Sequence, residues 1–262
     1  MDFKQIKSVG MEAAHRGAEV LLNKLGRILE INKKGAIDLV TDADVESEKA
    51  IIETIRSAFP DHAILAEESG LNQGESTCRW IIDPLDGTTN FAHSIGLFAI
   101  SIACEIDREI ICGIVFNPVT KELFSAVKGT GADLNGRPIH VSDTVDIAES
   151  LLVTGFPYNI REILDQVMAR MAGCLSASQG VRRLGSAALD LCYLACGRFD
   201  GYWEQNLKPW DTAAGWLIAE EAGARVTDFT NKAYSIEARE LLATNGKIHH
   251  QMLDLINPED RK

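Results

Sequence analysis

Three runs dense in apolar and β-branched residues, "LFAISIACEI", "EIICGIVFN" and "KELFSAV", lie between Leu97 and Val127 with only two or three residues between one and the next. A parallel neighbour needs a crossover of about a dozen residues or more, so strands this close together pair antiparallel. An Asn135-Gly136 turn follows, with the residue pair that a tight hairpin favours. This stretch predicts a largely antiparallel sheet in the first half of the chain.

The pattern changes after about Pro138. The strand run "SLLVTGF", the helical "REILDQVMARMAGCL", the helical "SAALDLCYLACG", the strand "GYWE" and the helical "DTAAGWLIAEEAG" alternate in the way of α/β units. A boundary near residues 140–150 would divide an α+β part, 1–145, from an α/β part, 146–262. Upstream, Ile6, Val9, Ala13, Val20, Leu21 and Leu22 give helical spacing from Phe3 to Leu25. "LVTDADVESEKAIIETIRSAF" reads as a short strand and then a helix capped by Thr41 or Asp42. Val45, Ile51, Ile52, Ile55 and Phe59 are expected along its inner face. "AILAEES" is a short strand ending at Glu67-Glu68, and the polar tail Asn257–Lys262 is expected to fray.

Acidic residues recur where apolar strands stop or helices start. Glu67 follows "AILA", Asp83 and Asp86 follow "WII", Asp211 stands in "KPWDTAAG", and Asp44 opens a helix after "DLVT". A carboxylate beside buried apolar surface is costly unless it is paired or holds a cation. Oxygen ligands without Cys or His suit a hard ion such as Mg²⁺. In Asp83-Pro84-Leu85-Asp86 the proline fixes a turn, so that both acids and the Leu85 carbonyl can face one pocket. One carboxylate can then bridge two ions about 3.5–4 Å apart, the arrangement used for in-line phosphoryl transfer. Gly87-Thr88-Thr89 adds unobstructed backbone donors for an anion. Taken singly, Asp86-Gly87 reads as a turn, Glu67-Glu68 as a solvated corner and Asp211 as a helix cap; their coincidence is what argues for a site.

The formal net charge of −12 excludes nucleic acid as a main ligand and leaves bound metal to attract a phosphate. The start of the chain is unlike a signal peptide and no apolar run reaches membrane-spanning length, so no membrane partner and a cytoplasmic location are expected. Six scattered cysteines read as reduced core thiols.

These motifs resemble the inositol monophosphatase family, within the lithium-sensitive, magnesium-dependent phosphatases. "WIIDPLDGTTNF" (Trp80–Phe91) and "WDTAAGWLIAEEAGARVTD" (Trp210–Asp228) match its two signatures, and "DLVTDAD", "AEES" and "GSAALDLCYLACGRFDGYWE" extend the likeness over nearly the whole chain. The resemblance implies a layered α/β/α/β/α sandwich, a homodimer and two to three Mg²⁺ ions per site. Glu67, Asp83 and the Leu85 carbonyl would hold one ion, and Asp83, Asp86 and Asp211 a second. A weaker third would sit near Glu67 through water. Asp44 would orient Thr88, and Thr88 with Glu67 would position the attacking water. The Gly87 and Thr88 amides would take phosphate oxygens, while Asp86, Ala187 (backbone), Glu204 and Asp211 would contact the hydroxyls of the alcohol. The implied reaction is hydrolysis of a small phosphate monoester, an inositol phosphate first. A sugar phosphate such as fructose-1,6-bisphosphate, histidinol phosphate or a nucleotide 3′-phosphate is the alternative.

Three rivals are weaker. Cys192 to Arg198 fits C-x₅-R, but lies inside a helical apolar pattern rather than a phosphate-cradling loop. "DADVE" approaches an aspartyl-phosphate loop and leaves residues 80–91 unexplained. A purely structural divalent-cation site would not need Gly87-Thr88-Thr89 beside the acids. Arg182, Arg183 and His93 remain without an assigned role.

Overall fold

A computed structural model describes residues 2–27, 31–33 and 39–257, with the backbone alone at 31–33 and 39–40. The tail expected to fray lies, from residue 258 onward, outside the described residues. Helix α1 (Phe3–Lys24) is followed by a small hairpin, β1 (Ile31–Lys33) and β2 (Leu39–Thr41), and then by α2 (Asp42–Ala58). Next come β3 (Ala63–Ala66), β4 (Gly70–Asn72), β5 (Cys78–Asp86), the short helix α3 (Thr88–Ala92), β6 (Ala99–Ile106), β7 (Glu109–Asn117), β8 (Glu122–Val127), β9 (Ala132–Leu134) and β10 (Arg137–Ile139). The remainder holds the five expected elements, β11 (Leu151–Thr154), α4 (Leu164–Ala177), α5 (Ala187–Ala195), β13 (Gly201–Gln205) and α6 (Pro209–Glu221), and four that the sequence reading did not name: β12 (Gly180–Arg182) between α4 and α5, then β14 (Arg225–Thr227), β15 (Glu240–Thr244) and α7 (His249–Ile256) after α6.

The large sheet runs β10-β9-β8-β7-β6-β5-β3-β4, antiparallel throughout except between β3 and β5. The smaller sheet, β12-β11-β13-β15-β14, is mixed: its first two pairings are parallel and its last two antiparallel. Asn135 and Gly136 both take positive φ, 51° and 75°, in the two-residue turn joining β9 to β10, as the turn chemistry requires.

Strands β6 and β7 are buried almost end to end, because helices cover both faces of the large sheet. Along β5, β6 and β7 the side chains alternate between two cores. Trp80, Ile82, Ile100, Ile102, Cys104 and Ile114 pack against α1 and α2, whereas Ile81, Ala99, Ala103 and Val115 pack against α5 and α6. The same helical pair fills the space between the sheets, meeting Tyr202, Val226, Leu241 and Ala243 on its far side. Helices α4 and α7 close the outer face of the small sheet over Leu152, Trp203 and Leu242. The result is a layered α/β sandwich of five layers.

Two sequence expectations need correction. Val45 and Leu22 lie on the solvent side of their helices, 54% and 47% exposed. The inward face of α2 instead carries Asp44, Ser47 and Glu48 together with Ile51 and Ile55, because its first two turns meet polar groups of Thr88, Pro84 and the Glu68-Ser69 turn. Helix α4 also begins later than expected: Ile160–Glu162 form a 3₁₀ turn, and no side chain caps the α-helix that follows.

Candidate active site

The cleft begins with a fault in the large sheet. Asp83 pairs with Ser101 and Asp86 with Ala99, so three steps along β5 match two along β6. In a regular strand, residues three apart point to opposite faces. The extra residue cancels that alternation and turns both carboxylates toward α5 and α6. Pro84 has no N–H to lose from the ladder and suits this position. Its carbonyl accepts a hydrogen bond from Ser47 Oγ at 3.1 Å, while the Leu85 N–H donates to Asp83 Oδ1 at 2.9 Å. Gly87 then bends the chain into α3 with φ of 97°. A Cβ there would stand 3.0 Å from the Leu97 carbonyl and 3.2 Å from that of Gly185, so only glycine fits.

The acids foreseen from the sequence are fixed by hydrogen bonds of their own. Asp86 Oδ2 accepts from Ser186 Oγ at 2.6 Å and from the Ala188 N–H at 2.7 Å, which fastens the start of α5 to the end of β5. Asp211 Oδ2 accepts from the Lys208 N–H at 2.7 Å and caps the first turn of α6, where Pro209 stands at the first helical position. Asp44 Oδ2 accepts from both the backbone N–H and the hydroxyl of Thr41, the N-cap of α2, and its Oδ1 accepts from Thr88 Oγ1 at 3.1 Å. The Glu67 N–H donates to the Ile82 carbonyl and keeps that residue level with the end of β5.

These elements enclose a cavity of about 260 Å³. Glu67, Asp83, Leu85, Asp86, Gly87, Thr88, Ala187, Glu204 and Asp211 all contribute to its wall. Asp44, 1% exposed, stands behind Thr88 and does not line it. Among the described residues, no three His, Cys, Asp or Glu side chains close into a finished cage for an ion; the acids converge on an open cleft. His93, at the end of α3, is exposed and outside the cavity wall.

The electrostatics are those of crowded anions. Burial pushes the Asp83 carboxyl well above its ordinary range, and the charges of Glu67, Asp86 and Asp211 push it further. Burial, and next the charge of Asp86, raises Asp211 similarly. Asp86 rises to about 6, because burial outweighs its bonds to Ser186 and Ala188. Glu204 rises to about 7, again through burial, although the Tyr202 hydroxyl donates to its Oε2 at 2.7 Å. Such a pocket would repel a phosphate unless cations were added, and its all-oxygen donor set fits a hard divalent ion.

Several contributors were not read from the sequence. Glu48, one turn after Asp44 on α2, accepts the N–H groups of Glu68 and Ser69 at 2.8 and 2.9 Å and so fixes the turn that carries Glu67. The i, i+4 spacing of two acids on that helix was the available signal. Asn90 donates to the carbonyls of Leu97 and Leu184 and ties α3 to the loop before α5. Arg183 reaches the wall of the cleft, with Cζ 5.6 Å from the centre of the Phe156 ring. Gly155 lets Glu204 in: a Cβ there would fall 2.0 Å from Glu204 Oε2. Cys192 lies fully buried inside α5, and burial drives its thiol well above the ordinary range, the opposite of what a nucleophilic cysteine needs.

Comparison with known proteins accords with this geometry. The family model described as "Inositol monophosphatase family" matches residues 2–259. An inositol-1-monophosphatase from Synechocystis sp. is 46% identical over 96% of this chain and 88% of its own length. The Nus factor SuhB of Pseudomonas aeruginosa is 39% identical over 96% of this chain and 95% of its own. The solved inositol monophosphatase of Anabaena (Nostoc) sp. superposes with a TM-score of 0.89 at 42% identity, covering 98% of this chain and 97% of that one. A phosphatase cleft built where one strand breaks register, in a chain matched from end to end, leaves one placement: this chain belongs to the inositol monophosphatase family.

Proposed function

We propose that the chain hydrolyses inositol-1-phosphate, or a closely related sugar phosphate, with Mg²⁺ as cofactor. The observation carrying this reading is the convergence of Glu67 after β3, Asp83 and Asp86 on β5, and Asp211 on α6, three separate segments, on one cleft beside the Asp44–Thr88 pair. Glu67, Asp83, the Leu85 carbonyl, Asp86 and Asp211 would hold two to three ions. When bound, magnesium supplies the charge that neutralises phosphate and a water acidic enough to attack near neutral pH.

The chain's own residues do the rest. Asp44 fixes the Thr88 hydroxyl, and Thr88 with Glu67 orients the attacking water. The amides of Gly87 and Thr88, at the start of α3, face the phosphate oxygens. Asp86, Glu204, Asp211 and the backbone of Ala187 accept or donate to hydroxyls of the alcohol. Water attacks phosphorus directly and the alkoxide leaves with a proton, without a covalent enzyme intermediate. On this reading, residues 1–145 carry most ion ligands, residues 146–262 add Asp211 and substrate contacts, and the enzyme works as a cytoplasmic homodimer sensitive to lithium.

The test is phosphate release from inositol-1-phosphate, fructose-1,6-bisphosphate and histidinol phosphate, with Mg²⁺ and with EDTA. Mg²⁺-dependent turnover, highest in kcat/KM on the inositol ester, is expected. Metal-dependent stability without turnover would overturn the reading.

A further inference from the structure

Asp190 has no place in the reading above, although it is the most conspicuous acid in the cleft wall. It lies in the first turns of α5, is 1% exposed, and contributes to the lining of the cavity. Neither of its carboxyl oxygens has a hydrogen-bond partner. The other acids there are engaged: Asp86 with Ser186 and Ala188, Asp211 with Lys208, Glu204 with Tyr202. Burying a carboxyl with both oxygens unmatched costs stability, and the chain itself supplies no partner that would offset that cost. The positive charge of Arg183 tempers the group without bonding to it, and burial together with the charges of Glu204 and Asp86 favours the protonated acid. A protonated carboxyl both donates and accepts, which is the complement of an alcohol hydroxyl.

We propose that Asp190 is a specificity-determining residue that receives a hydroxyl of the leaving alcohol at the inner end of the cleft, so that the enzyme selects monoesters of polyhydroxylated alcohols over those of plain alkyl or aryl alcohols. The inference rests on hydrolysis of phosphate monoesters in this cleft and names the residue that would select their alcohol. Its geometry is specific. Asp190 and Glu204, which Gly155 admits, line the same cavity, so acids from α5 and β13 would meet the alcohol there. A buried polar group left unmatched by an analogue lacking the hydroxyl penalises that analogue, and the selectivity arises there.

The experiment compares myo-inositol 1-phosphate, its monodeoxy analogues and p-nitrophenyl phosphate as substrates of the full chain with saturating Mg²⁺. Wild type should lose roughly 10- to 100-fold in kcat/KM on at least one monodeoxy analogue, mostly through KM. Asp190→Leu should cut the preference for the inositol ester over the aryl ester by the same factor and no longer distinguish that analogue from its parent. Asp190→Asn, which still offers one acceptor and one donor, should recover part of the preference and guards against a folding artefact, with thermal unfolding checked for both variants. An Asp190→Leu enzyme that discriminates as sharply as wild type, or that loses activity equally on every ester, overturns the proposal and leaves the hydrolase reading intact. A wild type that releases no phosphate from any of these esters overturns both.

Discussion

Thr88 Oγ1 stands 3.1 Å from Asp44 Oδ1 and 3.1 Å from the Leu85 carbonyl, two acceptors facing a hydroxyl that has one hydrogen to give. The donor is therefore committed to the protein, and the oxygen's lone pairs are left for a water in the cleft. Thr88→Ala should lower kcat by about 10²- to 10⁴-fold with little change in KM, and Thr88→Ser should keep most of the activity. Asp44→Asn should lower kcat too, and also cost about 1 kcal/mol of stability, because Asp44 closes the capping box of α2. Initial rates and urea midpoints on the three variants separate the two roles.

Asp83→Asn should abolish turnover and stabilise the metal-free protein. A carboxyl whose folded pKa is raised contributes stability below its ordinary pKa and loses it as pH rises through the folded value. In EDTA at pH 8 the variant should therefore exceed wild type by roughly 1–3 kcal/mol, and the gap should close toward pH 5. Added Mg²⁺ should raise the melting temperature of wild type and leave the variant's nearly unchanged. Near-normal activity in the variant would end the assignment of Asp83 as an ion ligand.

Gly155→Ala tests the cleft wall without replacing any acid. The new methyl would overlap the Glu204 carboxylate, so Glu204 must leave its place and its bond to Tyr202 must break. The expected cost is about 1–3 kcal/mol of stability. KM for a polyol ester should rise several-fold, with a smaller effect on p-nitrophenyl phosphate.

His249 should lower stability on the acid side. Its ring is buried between the hydroxyls of Thr244 and Thr227, 2.9 and 3.1 Å from its two nitrogens. Burial, with the charges of Arg225 and His250, lowers its pKa to about 4 from an ordinary 6.5. Between these values the unfolded chain takes up a proton that the folded chain refuses, so stability falls as pH drops. The loss amounts to about 3 kcal/mol in total at roughly 1.4 kcal/mol per unit. His249→Gln should remove that loss, and the difference in urea midpoint between wild type and variant should shrink from pH 7 to pH 4.

Legibility from the sequence followed the physics of each residue. The end of β5 could be read because an apolar run stops at Asp83 and Pro84 allows only a few continuations. Thr41 could be read as a cap because its hydroxyl has an amide within reach. The inner face of α2 was misread at Val45 because hydrophobicity marks a buried face only where that face meets apolar neighbours, and here its first turns meet Thr88, the Pro84 carbonyl and the Glu68-Ser69 amides. Asp190 was hidden inside "AALDLCYLACG", where an isolated acid in a helical apolar pattern looks like a break in the stripe. Gly155 was equally silent, since its reason is the Glu204 carboxylate almost fifty positions later.

The bulge in β5 makes assembly and catalysis depend on one act of alignment. A slip of a single residue between β5 and β6 would carry Ile81 and Ala103 to the wrong core and swing the two aspartates away from the helices that receive them. A misthreaded chain would then be both poorly packed and chemically inert, so quality control that rejects loose molecules would discard inactive ones by the same criterion.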